Sequence, residues 1–79
     1  MEYVILGNVP LTYKEYRMLL MLADGCNNCD IASEIGTTTD VIKNYFRPIY
    51  DKTGMANRLE LALWFVRNVQ QSKLRGQHR

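Results

Sequence analysis

Between Asn27 and Gly54 the chain reads NNCDIASEIGTTTDVIKNYFRPIYDKTG. Two apolar stripes at helical spacing lie in this stretch: Ile31, Ala32 and Ile35, then Val41, Ile42, Tyr45, Phe46 and Ile49. Gly36 separates them and Gly54 closes the second. The joint Gly36-Thr37-Thr38 fits the three- to four-residue turn of a helix-turn-helix. The longer helix then carries Lys43, Asn44 and Arg47 on one outward face, opposite Ile42, Tyr45 and Ile49. That is the arrangement by which a helix-turn-helix presents a recognition helix to the DNA major groove.

The rest of the chain is punctuated in the same way. Thr12-Tyr-Lys-Glu15 is a capping box, and Leu11 and Tyr16 have the spacing of a hydrophobic staple. Tyr16, Leu19, Leu20 and Ala23 form the stripe of a first helix that Gly25 ends. The second helix starts near Asn27 or Asn28, with Asp30 in its first turn, where the helix dipole favours an anion. Thr37 or Thr38 opens the third, and Asn57-Arg-Leu-Glu60 opens a fourth. The predicted fold is all-α, with helices over about residues 12–24, 28–35, 38–53 and 57–70. Residues 1–10 read as an N-terminal arm that folds Tyr3 or Ile5 onto the core, with a short strand over Glu2–Leu6 as the alternative. The domain spans residues 11–71, and residues 72–79 read as a basic flexible tail.

Seventy-nine residues make a single domain. A chain of this size buries only about 60–65% of its extended surface, so a partner subunit often adds stability. No apolar run reaches the roughly 18 residues of a membrane span. No secretory signal opens the chain, so a cytoplasmic location, nucleoid-associated when bound to DNA, is the expectation. The net charge of +2 is unevenly spread. Residues 1–42 hold two cations against six acids, net −4, and residues 43–79 hold eight cations against two acids, net +6. A one-sided basic surface is the footprint of a phosphate binder, and equally of a solubilising face with a basic tail.

Cys26 and Cys29 form a lone CxxC, and the single histidine is His78. Zinc needs four ligands and a redox CxxC normally sits beside a βαβ unit, so two ordinary thiols are expected, with no metal and no cofactor. The chain has no nucleophile–base pair and no phosphate loop, which argues against an enzyme.

Taken in order and spacing, Leu11-Thr12-x-x-Glu15, Leu19, Ala23-Asp24-Gly25, Asn28-x-Asp30-Ile31-Ala32, Ile42-Lys43, Ile49-x-x-Lys52-x-Gly54 and Arg58-x-Glu60-Leu61 resemble the LuxR/GerE-type DNA-binding domain. The resemblance covers residues 11–66. It implies a bacterial or phage transcription regulator whose third helix reads double-stranded DNA and whose fourth dimerises. Most relatives carry a receiver or ligand-binding domain as well; this chain resembles the stand-alone members. The resemblance puts Lys43, Asn44 and Arg47 toward base edges, and Thr38, Thr39, Asn28 and Lys52 toward phosphates. Four residues depart from the family pattern: Val41 where threonine is frequent, Cys29 where lysine is frequent, the acidic Asp40, and Pro48 inside the third helix. An interior proline costs ~3 kcal/mol, so a kink near Asn44–Pro48 or a helix in two pieces is expected.

From Leu59 to Val66 only Glu60 is polar. A helix apolar nearly all round needs cover on more than one side. Leu59, Ala62 and Val66 are expected to close the core; Leu61, Trp64, Phe65 and Asn68 are expected to face either the N-terminal arm or a second copy in a homodimer. The other reading of the chain is a protein-interaction module that keeps the fold and binds a second regulator protein through this helix.

Overall fold

The computed structural model describes the backbone of residues 3–77 and the side chains of residues 3–70. The four predicted helices are present in order: α1 (Tyr13–Ala23), α2 (Asn28–Ile35), α3 (Thr39–Thr53) and α4 (Arg58–Gln77). Ahead of them, where an extended arm is predicted, stands an antiparallel hairpin of β1 (Tyr3–Leu6) and β2 (Val9–Thr12). Its two-residue turn is Gly7-Asn8, and both residues have positive φ, 56° and 67°, as the type I′ turn demands. The pair beside such a turn, Leu6 and Val9, is hydrogen-bonded, so the next pair, Ile5 and Pro10, falls between bonds. Pro10 therefore withholds no ladder hydrogen bond. The pleat turns Val4, Leu6, Val9 and Leu11 inward and leaves Tyr3 and Ile5 exposed, the reverse of the expected anchoring.

The helix starts carry side-chain caps, though at α4 the expected box is half formed: Asn57 Oδ1 accepts from the Glu60 amide, while the Glu60 carboxylate accepts from the Ala56 amide. The Thr12 hydroxyl accepts from the Glu15 amide at 3.1 Å while the Glu15 carboxylate accepts from the Thr12 amide at 2.9 Å. Asn27 and Asp30 form the same reciprocal pair at 2.8 and 3.2 Å. The α1 stripe is rotated from the expected one. Met18, Leu19 and Leu22 are buried, whereas Leu20 and Ala23 are exposed. Met18 to Ala23 is an unbroken apolar run, so spacing alone selects no face and the neighbouring elements decide.

A single core forms from Leu6 and Leu11 of the hairpin, Met18, Leu19 and Leu22 of α1, Ile31 and Ala32 of α2, Ile42, Phe46 and Ile49 of α3, and Leu61 and Phe65 of α4. Phe65 meets Tyr16 edge-on, with ring centroids 5.5 Å apart. The faces of α4 are thus opposite to those expected. Leu61 and Phe65 are 0% and 2% exposed, while Leu59, Leu63 and Val66 are 71%, 48% and 37% exposed. The hairpin covers part of α4: a Cβ on Gly7 would collide with the Asn68 side chain. Helix α4 also continues to Gln77, past the expected end near residue 70 and into the segment read as a tail. Residues 70–75 include Gln70, Gln71, Lys73, Leu74 and Arg75, all good helix formers, and nothing stops the helix before Gly76.

Pro48 does not split α3, which runs unbroken from Thr39 to Thr53. Pro48 is exposed, so the Asn44 carbonyl it leaves without an amide partner lies on the solvent side. Buried Phe46 and Ile49 anchor the helix on either side of it.

Candidate nucleic-acid interface

The turn between α2 and α3 is closed by backbone geometry. Gly36 has φ 90°, a left-handed conformation that side chains disfavour, and this lets the amides of Gly36 and Thr37 both reach the Ala32 carbonyl, at 2.8 and 2.9 Å. The Thr38 hydroxyl accepts from the Val41 amide at 3.3 Å and starts α3, keeping its own O–H free to donate. Ile42, Phe46 and Ile49 then fix the helix rotation by burial.

With that rotation fixed, Thr38, Thr39, Lys43, Asn44 and Arg47 are all exposed. Lys43, Asn44 and Arg47 share one face of α3 by their spacing. Neither Lys43 nor Arg47 has an ion-pair partner among the described residues, which hold only the pairs Arg17–Glu34 and Lys52–Glu15. Asp40 and Asp51 lie on the same side, so this face is mixed in charge rather than strongly basic.

Lys52 is elsewhere. It stands nine residues after Lys43, half a turn round the helix, and its ammonium is 2.6 Å from Glu15 Oε1 and 3.0 Å from the Pro10 carbonyl. The Glu15 side chain is 9% exposed and that of Lys52 29%. This lysine ties the end of α3 to the α1 cap and to β2, and it is not a free phosphate contact. Asn28 is half-buried at the first position of α2, and its Oδ1 accepts from Arg58 Nη1 at 2.9 Å. Cys26 is half-buried against the core, Cys29 is exposed, and both thiols are free. His78 lies outside the described residues, and among those residues no cluster of His, Cys, Asp or Glu could hold a metal ion.

Of the four residues expected at a subunit interface, Leu61 and Phe65 are spent on the core. Trp64 and Asn68 are half-buried along an open groove of about 510 Å³ that Met55, Glu60, Leu63 and Arg67 also line. Leu59, Leu63 and Val66, spaced by four and three residues, form the exposed stripe on the side away from the core. Sequence reading passes over three cross-links: Arg58 to the α1–α2 loop, Lys52 to Glu15, and the Lys14 ammonium 3.9 Å over the Tyr45 ring. The charges were visible in the sequence, but no local pattern pairs residues 30 or more positions apart.

The family model described as bacterial regulatory proteins, luxR family, matches residues 9–65. The chain is also similar to the HTH-type transcriptional regulator MalT of Yersinia pestis (strain Pestoides F) and of Serratia proteamaculans (strain 568), at 37% identity over 51 residues in each. Those residues are 65% of this chain and 6% of each relative, so the chain spans a small fraction of the relatives' length. No solved structure matches it. Among the described residues, no helix is long and apolar enough to cross a membrane. The capped helices, the Gly36 turn and the match over residues 9–65 agree: the chain belongs to the luxR family of bacterial regulatory proteins, with that family's four-helix helix-turn-helix fold.

Proposed function

We propose that the chain is a sequence-specific DNA-binding transcription regulator that inserts α3 into the major groove. The observation that carries this is the outward face of α3, where Lys43, Asn44 and Arg47 stand exposed on a helix whose rotation the core fixes. Lysine and arginine donate to guanine O6 and N7, and asparagine suits adenine N6 and N7. Thr38 and Thr39 at the start of α3, and Asn28 at the start of α2, face phosphates. Family membership and the relatives' description as transcriptional regulators support the reading.

The active form is a homodimer through α4, in which the stripe Leu59, Leu63 and Val66, flanked by Trp64 and Asn68, is covered by its copy. A two-fold dimer reads a pseudo-palindrome with half-sites about one helical turn apart, ~10 bp. Such a regulator works in the cytoplasm, on the nucleoid.

In-vitro selection from random duplex DNA, with wild type beside Arg47→Ala, tests both claims. The expected result is an enriched two-fold motif that weakens in the variant. Binding without sequence preference would overturn it. The mixed charge of the α3 face, with Asp40 and Asp51 beside Lys43 and Arg47, favours a second reading, in which the fold binds another regulator protein through α4. Full biological activity of the double variant Lys43→Ala/Arg47→Ala would select that reading.

A further inference from the structure

We propose that Arg58 is a positioning residue for the DNA interface: it holds the Asn28 side chain so that the amide nitrogen faces outward as a donor to a DNA phosphate. The inference rests on the DNA-binding reading above.

Arg58 is the first residue of α4 and is half-buried. Its Nη1 donates to Asn28 Oδ1 at 2.9 Å and its Nη2 to the Cys26 carbonyl at 2.9 Å, and its guanidinium lies 5.5 Å over the Phe46 ring. One side chain thus joins the α1–α2 loop, α2 and α3. A guanidinium has donors and no acceptor, so the Asn28 atom it meets must be the oxygen. The amide cannot flip without placing N–H against N–H. Asn28 Nδ2 therefore keeps both protons, and no acceptor meets it among the described residues.

That donor sits where a phosphate is expected. Asn28 opens α2, and the first helix of a helix-turn-helix crosses the DNA backbone, while the anion that the first turn itself favours is already supplied by Asp30. Through Phe46, Arg58 also ties the donor to the helix that carries Arg47, so the backbone contact and the base contacts hold one register.

Asn28→Asp separates this role from a merely structural one. Beside Asn28→Ala, which loses the donor without adding charge, an aspartate keeps the oxygen for Arg58, loses the donor and adds a negative charge of its own. Its thermal midpoint is expected to equal or exceed that of wild type. DNA affinity is expected to fall about tenfold or more, the order of one hydrogen bond to a charged oxygen. The fall should be equal on a selected site and on an unrelated duplex, because a phosphate carries no sequence information. Wild-type affinity, or a loss confined to the selected site, would overturn the proposal.

A double-mutant cycle then tests Arg58 itself. Arg58→Met should weaken DNA binding when Asn28 is present and cause no further loss in the Asn28→Ala background. Additive losses would show Arg58 acting by itself and would also overturn the proposal. If Arg58→Met does not fold by circular dichroism, Arg58→Lys takes its place in the same cycle. Wild-type protein that binds no DNA even at low salt removes the DNA-binding reading, and this role with it.

Discussion

Helices α3 and α4 lie on the same core and turn opposite kinds of surface outward. Asp40, Lys43, Asn44 and Arg47 of α3 are hydrated and cost nothing while no partner is bound. Leu59, Leu63 and Val66 of α4 expose apolar side chains in one stripe. Fully burying such a side chain is worth about 1.5–3 kcal/mol, so the α4 face gains from any cover that fits it, whereas the α3 face gains only from a partner that matches its charges and hydrogen bonds. The proposed function gives discrimination to the first helix and association to the second.

The comparison breaks most visibly inside α4 itself. Phe65→Ala should destabilise the fold by about 3–5 kcal/mol in urea or thermal unfolding, through lost transfer energy and the cavity left beside Tyr16. Leu63→Ala, two positions earlier, should change the unfolding of the monomer by less than about 0.5 kcal/mol, measured at protein concentrations low enough to suppress association. Equal costs would mean that the two faces of α4 are not distinct.

These two residues also show what could be read from the sequence. The division of α3 was legible because its apolar residues fall on one side and its polar residues on the other. The capping box at Thr12 was legible because both partners lie within one turn, whereas at Asn27 the reading stopped at the dipole role of Asp30 and passed over the reciprocal pair. The division of α4 was not. Seven of the eight residues from Leu59 to Val66 are apolar, so periodicity defines no inner face, and the positions of α1 and the hairpin choose it. The hairpin did leave a trace, Gly7-Asn8 between two β-prone runs. In the candidate site, the rotation of α3 gave Lys43, Asn44 and Arg47 their exposure as expected. The tethers of Lys52 and Arg58 depended on partners 37 and 30 residues away, beyond any local rule.

Lys52 sharpens the contrast between the two ends of α3. Lys52→Met leaves the nearly buried Glu15 carboxylate without its cation and should cost about 1–3 kcal/mol of stability, less than a fully buried pair because Lys52 is partly exposed. The half of α3 proposed to read DNA should tolerate change instead. Arg47→Ala should leave the unfolding midpoint within about 0.5 kcal/mol of wild type and remove about 1–3 kcal/mol of discrimination at one base pair of a selected site. Competition binding against single-base variants of the site measures the second quantity. A destabilising Arg47→Ala would instead make this residue part of the scaffold.

A modest net effect is expected at Pro48, at the junction of those two halves, because there two effects oppose each other. Pro48→Ala restores an amide that can reach the Asn44 carbonyl and removes a ring that crowds it, which in a helix interior is worth ~3 kcal/mol. It also frees the unfolded chain at this position, which costs the folded state about 0.4–1 kcal/mol. The carbonyl is on the solvent side, where water already satisfies it, so the restored bond brings well under its full value. The net expectation is a stabilisation of about 1 kcal/mol, seen as a higher midpoint in urea with an unchanged slope. If α3 bends at Pro48 to aim Lys43 and Arg47, the same variant gains stability and loses DNA affinity. If Pro48 has no such part, both measurements rise or stay level, and the outward face of α3 is set by Ile42 and Phe46 alone.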